Sequence, residues 1–129
     1  MIRILVIDDE PDFSDLILKY FSAMGCSVDV AATGEQGLER VTEISPDILI
    51  VDNRLPGIDG IEVVRRLRAA KQDVFIVMVT IDKEDGVRAA LYPFAVDRFL
   101  KKPFQFSVLN DTLIEMIAAA KDRKKGHKL

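Results

Sequence analysis

The chain has 129 residues, 49% of them hydrophobic and 30% charged, with a net charge of −3; that length and balance fit one domain with one buried core and exclude intrinsic disorder. The longest unbroken apolar run covers residues 74–79, far short of the ~18 needed to span a membrane, and the opening residues lack the pattern of a signal peptide, so a cytoplasmic protein is expected. One cysteine, Cys26, and one histidine, His127, leave no material for disulfides, multi-cysteine zinc sites or histidine catalysis.

Strand-length apolar runs recur at residues 2–7, 28–31, 48–51, 74–79 and 96–100. They show too little alternation for a half-exposed antiparallel sheet, so five strands buried on both faces are expected. After the first run, Pro11 marks an early helical position and Gly25 a stop, with Leu16, Ile17, Tyr20, Phe21 and Met24 on one helical face. Thr33 and Gln36 have the spacing of a capping box ahead of a second helix that faces inward through Gly37, Leu38 and Val41. Ile61, Val64, Leu67 and Arg68 define the third helix, and Val87, Ala90 and Leu91 the fourth. The fifth runs from about Phe106 into the C-terminal residues, with Leu109, Leu113, Met116, Ile117 and Ala120 inward. Strict alternation of strand and helix requires right-handed crossovers and a parallel sheet covered on both sides, a three-layer α/β domain.

Charge is unevenly spread along this pattern. Residues 121–129 hold Lys121, Arg123, Lys124, Lys125 and Lys128 against Asp122, a net +4, which leaves −7 on residues 1–120. An acidic body speaks against a nucleic-acid surface on the domain, and the basic tail reads as a solvated helix end.

Ligands of such sheets bind beyond the carboxyl ends of the strands. Asp8 and Asp9 follow the first strand, Asp52 the third, Thr80 the fourth and Lys102 the fifth. Singly, each has a structural explanation: a helix cap for Asp8, Asp9 or Thr80, a turn opener for Asp52, a surface position for Lys102. Together they converge in one cleft, where three like charges repel unless a divalent cation neutralises them. An all-oxygen set with room for water suits magnesium. A metal, an ammonium and a hydroxyl can hold a phosphoryl group, and a carboxylate among them can accept it as an acyl phosphate.

The paired acids Asp8-Asp9, the stretch Asp52-Asn53-Arg54-Leu55-Pro56-Gly57-Ile58-Asp59-Gly60, Thr80 and the segment Phe99-Leu100-Lys101-Lys102-Pro103-Phe104 together resemble the receiver domain of two-component response regulators, over residues 1–121. The resemblance implies a doubly wound, flavodoxin-like (CheY-like) fold with strand order 2-1-3-4-5, followed by a basic tail over residues 122–129. It implies that Asp52 is the phosphoacceptor, served by a histidine kinase or phosphotransfer protein. Asp9 and Asp52 would bind Mg2+ directly, Asp8 through water and Arg54 through its main-chain carbonyl. Thr80 and Lys102 would contact the phosphoryl oxygens, and Phe99 would be the switch aromatic. The implied partners are a downstream effector or output domain and a phosphorylation-dependent second copy, with no membrane contact. The implied chemistry is limited to the domain's own phosphorylation and dephosphorylation, so it is not an enzyme acting on an external substrate.

Three departures stand out. Ile81 places a β-branched side chain where the family usually has alanine or glycine; Ala95 replaces a usual glycine, which matters if that residue needs positive φ; and the fifth helix lacks the arginines of regulators that dimerise through it. The alternative reading, a receiver-like interaction module that no longer cycles through phosphorylation, rests on Ile81 and is opposed by the intact Asp8, Asp9, Asp52, Thr80 and Lys102. A haloacid-dehalogenase-like phosphatase would need a second aspartate two residues after its nucleophile, where this chain has Glu10-Pro11. Three local geometries are expected: a cis Lys102–Pro103 bond that turns Lys102 into the cleft, a weak Arg54–Asp82 pair at its mouth, and an outer surface on the fourth helix, fifth strand and fifth helix where Leu91, Tyr92 and Phe94 supply apolar groups.

Overall fold

A computed structural model describes residues 1–81 and 84–126. Five strands, β1 (Arg3–Ile7), β2 (Ser27–Ala31), β3 (Ile48–Asp52), β4 (Phe75–Thr80) and β5 (Arg98–Lys101), alternate with five helices, α1 (Pro11–Ala23), α2 (Gly34–Ile44), α3 (Gly60–Ala69), α4 (Glu84–Leu91) and α5 (Phe106–Gly126), with a 3-10 turn over Tyr92–Phe94. The sheet is parallel in the order β2-β1-β3-β4-β5, the expected arrangement.

The period-2 alternation of strand side chains divides the core into two slabs. Ile4, Val6, Ile48, Ile50, Val77 and Val79 point to one face, where Ile17 and Phe21 of α1 and the inner row of α5 cover them. Leu5, Ile7, Leu49, Val51, Ile76 and Met78 point to the other, under α2, α3 and α4. Between their ends the central strands must therefore be apolar on both faces, which is why these runs do not alternate in sequence. The edge strands differ from the expectation of burial on both faces: β2 exposes Val30 by 40%, and β5 buries only Leu100 fully. With a neighbour on one side only, an edge strand is less completely covered.

The helix ends follow their sequence signals. Pro11 occupies the first turn of α1 and Gly25 follows its end at φ +92°. Thr33 Oγ1 accepts from Gln36 N–H at 3.1 Å, while Gln36 Oε1 accepts from Ala32 N–H at 3.2 Å, a capping box closed one residue early. The buried stripe of α1 is Ser14, Ile17 and Phe21, narrower than the sequence face; Leu16, Tyr20 and Met24 are 45%, 37% and 47% exposed. They form the i, i+4 row beside that stripe, and Tyr20 packs edge-on to Phe106 instead of entering the core. Ala90 of α4 is likewise exposed, while Val87 and Leu91 are buried. All five expected inward residues of α5 are buried.

Helix α5 continues unbroken across residues 121–122. Its basic end is less solvated than expected, because two cations are tied down. Arg123 donates to the Asp73 carbonyl at 2.6 Å and lies over the Phe75 ring, and Lys124 donates to the Met1 carbonyl at 2.8 Å and pairs with Asp47 at 3.0 Å. His127 and Lys128 lie outside the described residues. Among the described residues no helix is long and apolar enough to cross a membrane.

Candidate functional site

The parallel ladder carries the chemistry to one edge. Asp52 and Thr80 are the last residues of β3 and β4, one position earlier in the pattern than the apolar runs imply, while Asp8 and Lys102 directly follow β1 and β5. The ladder holds them in register one residue past the strand ends: Asp8 N–H donates to the Ala31 carbonyl at 3.0 Å, Asn53 N–H to Val79 at 2.9 Å and Lys102 N–H to Thr80 at 2.8 Å. The Lys102–Pro103 bond is cis, as expected.

Lys102 reaches back across the sheet edge. Its Nζ lies 3.2 Å from Asp8 Oδ2, 3.3 Å from Asp52 Oδ2 and 3.4 Å from Glu10 Oε1, with the Phe13 ring 4.8 Å beneath it. The other carboxylate oxygens are held by main chain: Asp8 Oδ1 accepts from Glu10 N–H at 2.8 Å, and Asp52 Oδ1 from Arg54 N–H at 3.0 Å. Asp8 and Asp52 are buried, with side chains only 1% and 6% exposed, and Thr80 is buried completely.

Burial raises the pKa of the Asp8 carboxyl above its ordinary value, and the Glu10 N–H and the Lys102 ammonium only partly offset it. Burial presses the Lys102 ammonium the other way, but the surrounding Asp8, Asp52 and Glu10 outweigh it and raise its pKa. Three carboxylates around one ammonium leave a net negative cleft. Carboxylate oxygens of Asp8, Glu10 and Asp52 lie within 4.8 Å of one another, and this all-oxygen, charge-excess set fits a hard divalent cation such as magnesium.

The structure brings Asp8, Asp52 and Lys102 into direct contact and puts Thr80 on the neighbouring strand end. Asp9 is exposed and outside the group of three acids, whose third member is Glu10. The sequence signal for Glu10 was its position behind Asp8-Asp9 and before Pro11: it is the extended N-cap of α1, and its side chain caps nothing. Arg54 is exposed at the lip. Its expected partner Asp82 lies outside the described residues. Ile81 is 51% exposed. It borders an apolar groove of about 460 Å3 with Phe13, Leu16, Phe104 and the cleft residue Lys102. Phe99 is half-buried against the α2–α4 slab, and the Arg88 guanidinium lies 4.3 Å from its ring centroid. Of the apolar trio expected on the outer surface, Leu91 is buried, Phe94 joins the core as a partly buried residue and Tyr92 alone is open, at 88%. Ala95 does adopt positive φ, +54°.

The family model for the response regulator receiver domain matches residues 4–114. The chain belongs to that family. The receiver domain is 32% identical over 110 residues to the transcriptional regulatory protein TrcR of Mycobacterium tuberculosis, covering 84% of this chain and 42% of that protein. It spans less than half the length of the curated relatives it matches. Among solved structures it resembles the response regulator TrrA of Thermotoga maritima in complex with Mg2+ and BeF, at a TM-score of 0.78 and 31% identity over 90% of this chain and 99% of that one. A CheY-like receiver domain of Methanospirillum hungatei shares the fold at a TM-score of 0.87 and 21% identity, over 95% and 98% of the two chains.

Proposed function

We propose that this receiver domain works as a phosphorylation switch in which Asp52 is the acceptor. The observation that carries the reading is the Lys102 ammonium, 3.3 Å from the Asp52 carboxylate and held there by Asp8. In the transfer, an Asp52 carboxylate oxygen forms a bond to phosphorus as the phosphorus–nitrogen bond of a phosphohistidine breaks. The imidazole leaves with its electron pair and takes up a proton, and an acyl phosphate remains on Asp52. Lys102 neutralises charge on the incoming phosphoryl oxygens, and the Thr80 hydroxyl, from the neighbouring strand, donates to them in this reading. Arg54 N–H holds Asp52 Oδ1, and the other oxygen, Oδ2, faces the Lys102 ammonium.

The net negative charge of the cleft supports a bound magnesium ion, which supplies charge neutralisation and orientation of the phosphoryl group. Asp8, Asp52 and the Arg54 carbonyl would hold it. The resemblance assigns the remaining carboxylate to Asp9, whereas the structure groups Glu10 with the other two. Magnesium titration of Asp9→Ala and Glu10→Ala distinguishes them, since only the variant lacking a ligand loses affinity.

Phosphorylation reaches the surface through Thr80 and Phe99. Drawing the Thr80 hydroxyl toward Asp52 vacates space on β4 into which the half-buried Phe99 can move, which biases the α4, β5 and α5 surface between two states. The partners are a histidine kinase or phosphotransfer protein on the donor side and an effector, output domain or second copy on the other, in the cytoplasm. The domain's chemistry is confined to itself. A beryllofluoride adduct, standing in for the phosphoryl group, should shift backbone NMR signals across residues 80–106; shifts confined to the neighbours of Asp52 would count against the switch.

A further inference from the structure

The loop between β3 and α3 is gripped by a helix that contributes nothing to the cleft itself. Glu35, in the first turn of α2, accepts a hydrogen bond from Ile58 N–H at 3.3 Å. Its carboxylate lies over Gly57, where φ is +77° and an added Cβ would come within 2.8 Å of Glu35 Oε1. Next to it, Gly34 is pressed against Ile58, whose carbonyl would be 3.0 Å from a Cβ at that position. The first turn of α2 thus touches two consecutive residues of a loop 23 positions away. Four residues back along that loop, Arg54 N–H fixes Asp52 Oδ1, and the Arg54 carbonyl is part of the same loop.

We propose that Glu35 is a positioning residue for phosphoryl acceptance: by latching Ile58 N–H across Gly57, it sets the orientation of the loop that presents the Arg54 main chain to Asp52 and to the magnesium ion. The inference rests on the reading of Asp52 and its metal site. An acid in the first turn of a helix also interacts favourably with the helix dipole, and if that were its whole role its loss would lower stability and leave the cleft untouched. A latch predicts the reverse emphasis. Outer hydrogen bonds that orient a metal ligand change affinity about tenfold or more when removed.

The test is a magnesium titration of the unphosphorylated domain followed by NMR, alongside thermal melts without magnesium, for wild type, Glu35→Ala and Glu35→Gln. Glu35 is exposed, so both variants should fold. Glu35→Ala is expected to weaken magnesium binding about tenfold, with its metal-free melting temperature close to wild type. Glu35→Gln keeps an oxygen that accepts from Ile58 N–H and is expected to bind magnesium as wild type does. The proposal is overturned if Glu35→Ala binds magnesium normally, or if both variants weaken equally, which would assign the effect to lost charge. A wild-type domain that binds no magnesium overturns the metal site beneath the proposal, a result readable without either variant.

Discussion

Gly60 is pressed against the main chain of Asp52: a Cβ at position 60 would overlap the Asp52 carbonyl oxygen and come within 2.8 Å of Asn53 Cα. The same residue donates its N–H to the Asn53 carbonyl at 2.9 Å, and Asp59 caps α3 by accepting from Glu62 N–H at 2.8 Å. The loop leaving Asp52 can close only because residue 60 lacks a side chain. Gly60→Ala should cost about 1–3 kcal/mol of stability, the range for overpacking, and should slow phosphorylation of Asp52. Chemical denaturation and acetyl-phosphate labelling measure the two effects; an alanine variant with wild-type values for both would contradict this contact.

Ala95 carries left-handed strain that glycine would not. Its φ of +54° lies between the Tyr92–Phe94 turn and β5, and the conformation is maintained by Arg68, whose guanidinium donates to the Phe94 and Ala95 carbonyls at 2.8 Å each. Relief of strain offset by the greater unfolded-state entropy of glycine should make Ala95→Gly more stable by about 0.5–1 kcal/mol. For a domain of this size that corresponds to a melting temperature roughly 2–4 °C higher. A variant that melts lower would show that Ala95 is not strained.

Asp8 gives a pH signature. Its folded-state pKa is raised above the ordinary value of 3.8 by burial, so across the interval between the two values the folded form keeps a proton that the unfolded form has released. Stability contributed by Asp8 therefore falls as pH rises through that interval. Asp8→Asn removes the buried charge while leaving Lys102 paired with Asp52 and Glu10. Without magnesium it should match wild type below pH 3.8 and melt higher at neutral pH. Magnesium should raise the melting temperature of wild type more than that of the variant. A neutral-pH melting temperature below wild type would reverse the sign of this argument.

The fold was legible because its signals are local and redundant. Apolar runs mark the central strands, and Pro11, Gly25 and the Thr33–Gln36 box mark helix ends. The five-residue row of α5 meets a single uninterrupted face. The errors fall where local pattern cannot report neighbours. Leu16, Tyr20 and Met24 sit on a helical row like that of Ile17 and Phe21, and only the position of α1 against α5 decides which row is buried. Val30 looks like a core valine until β2 is known to be an edge. At the candidate site, Asp8, Asp52, Thr80 and Lys102 were readable as residues at strand ends. The approach of Glu10 to Asp8 and Asp52 was not, because it depends on how the backbone turns into Pro11.

Ile81 directly follows Thr80 at the end of β4 and is 51% exposed. Its position beside Lys102, at the edge of the Phe13–Phe104 groove, makes it a lateral wall, and a half-exposed side chain contributes little to stability. Ile81→Ala should stay within roughly 0.5 kcal/mol of wild type while speeding both acetyl-phosphate labelling and hydrolysis of the product. Unchanged rates in both directions would remove Ile81 from the account.

The central claim is that Asp52 accepts a phosphoryl group with the help of Lys102 and magnesium, and intact-mass measurement after incubation with acetyl phosphate and magnesium tests it most directly. Wild type should gain the mass of one phosphoryl group, lose it on treatment with hydroxylamine as an acyl phosphate does, and gain none when magnesium is chelated. Asp52→Asn should gain none under any condition, and Lys102→Ala, which lacks the ammonium 3.3 Å from the Asp52 carboxylate, should label more slowly than wild type. Equal labelling of wild type and Asp52→Asn, or no labelling of wild type, would contradict the account.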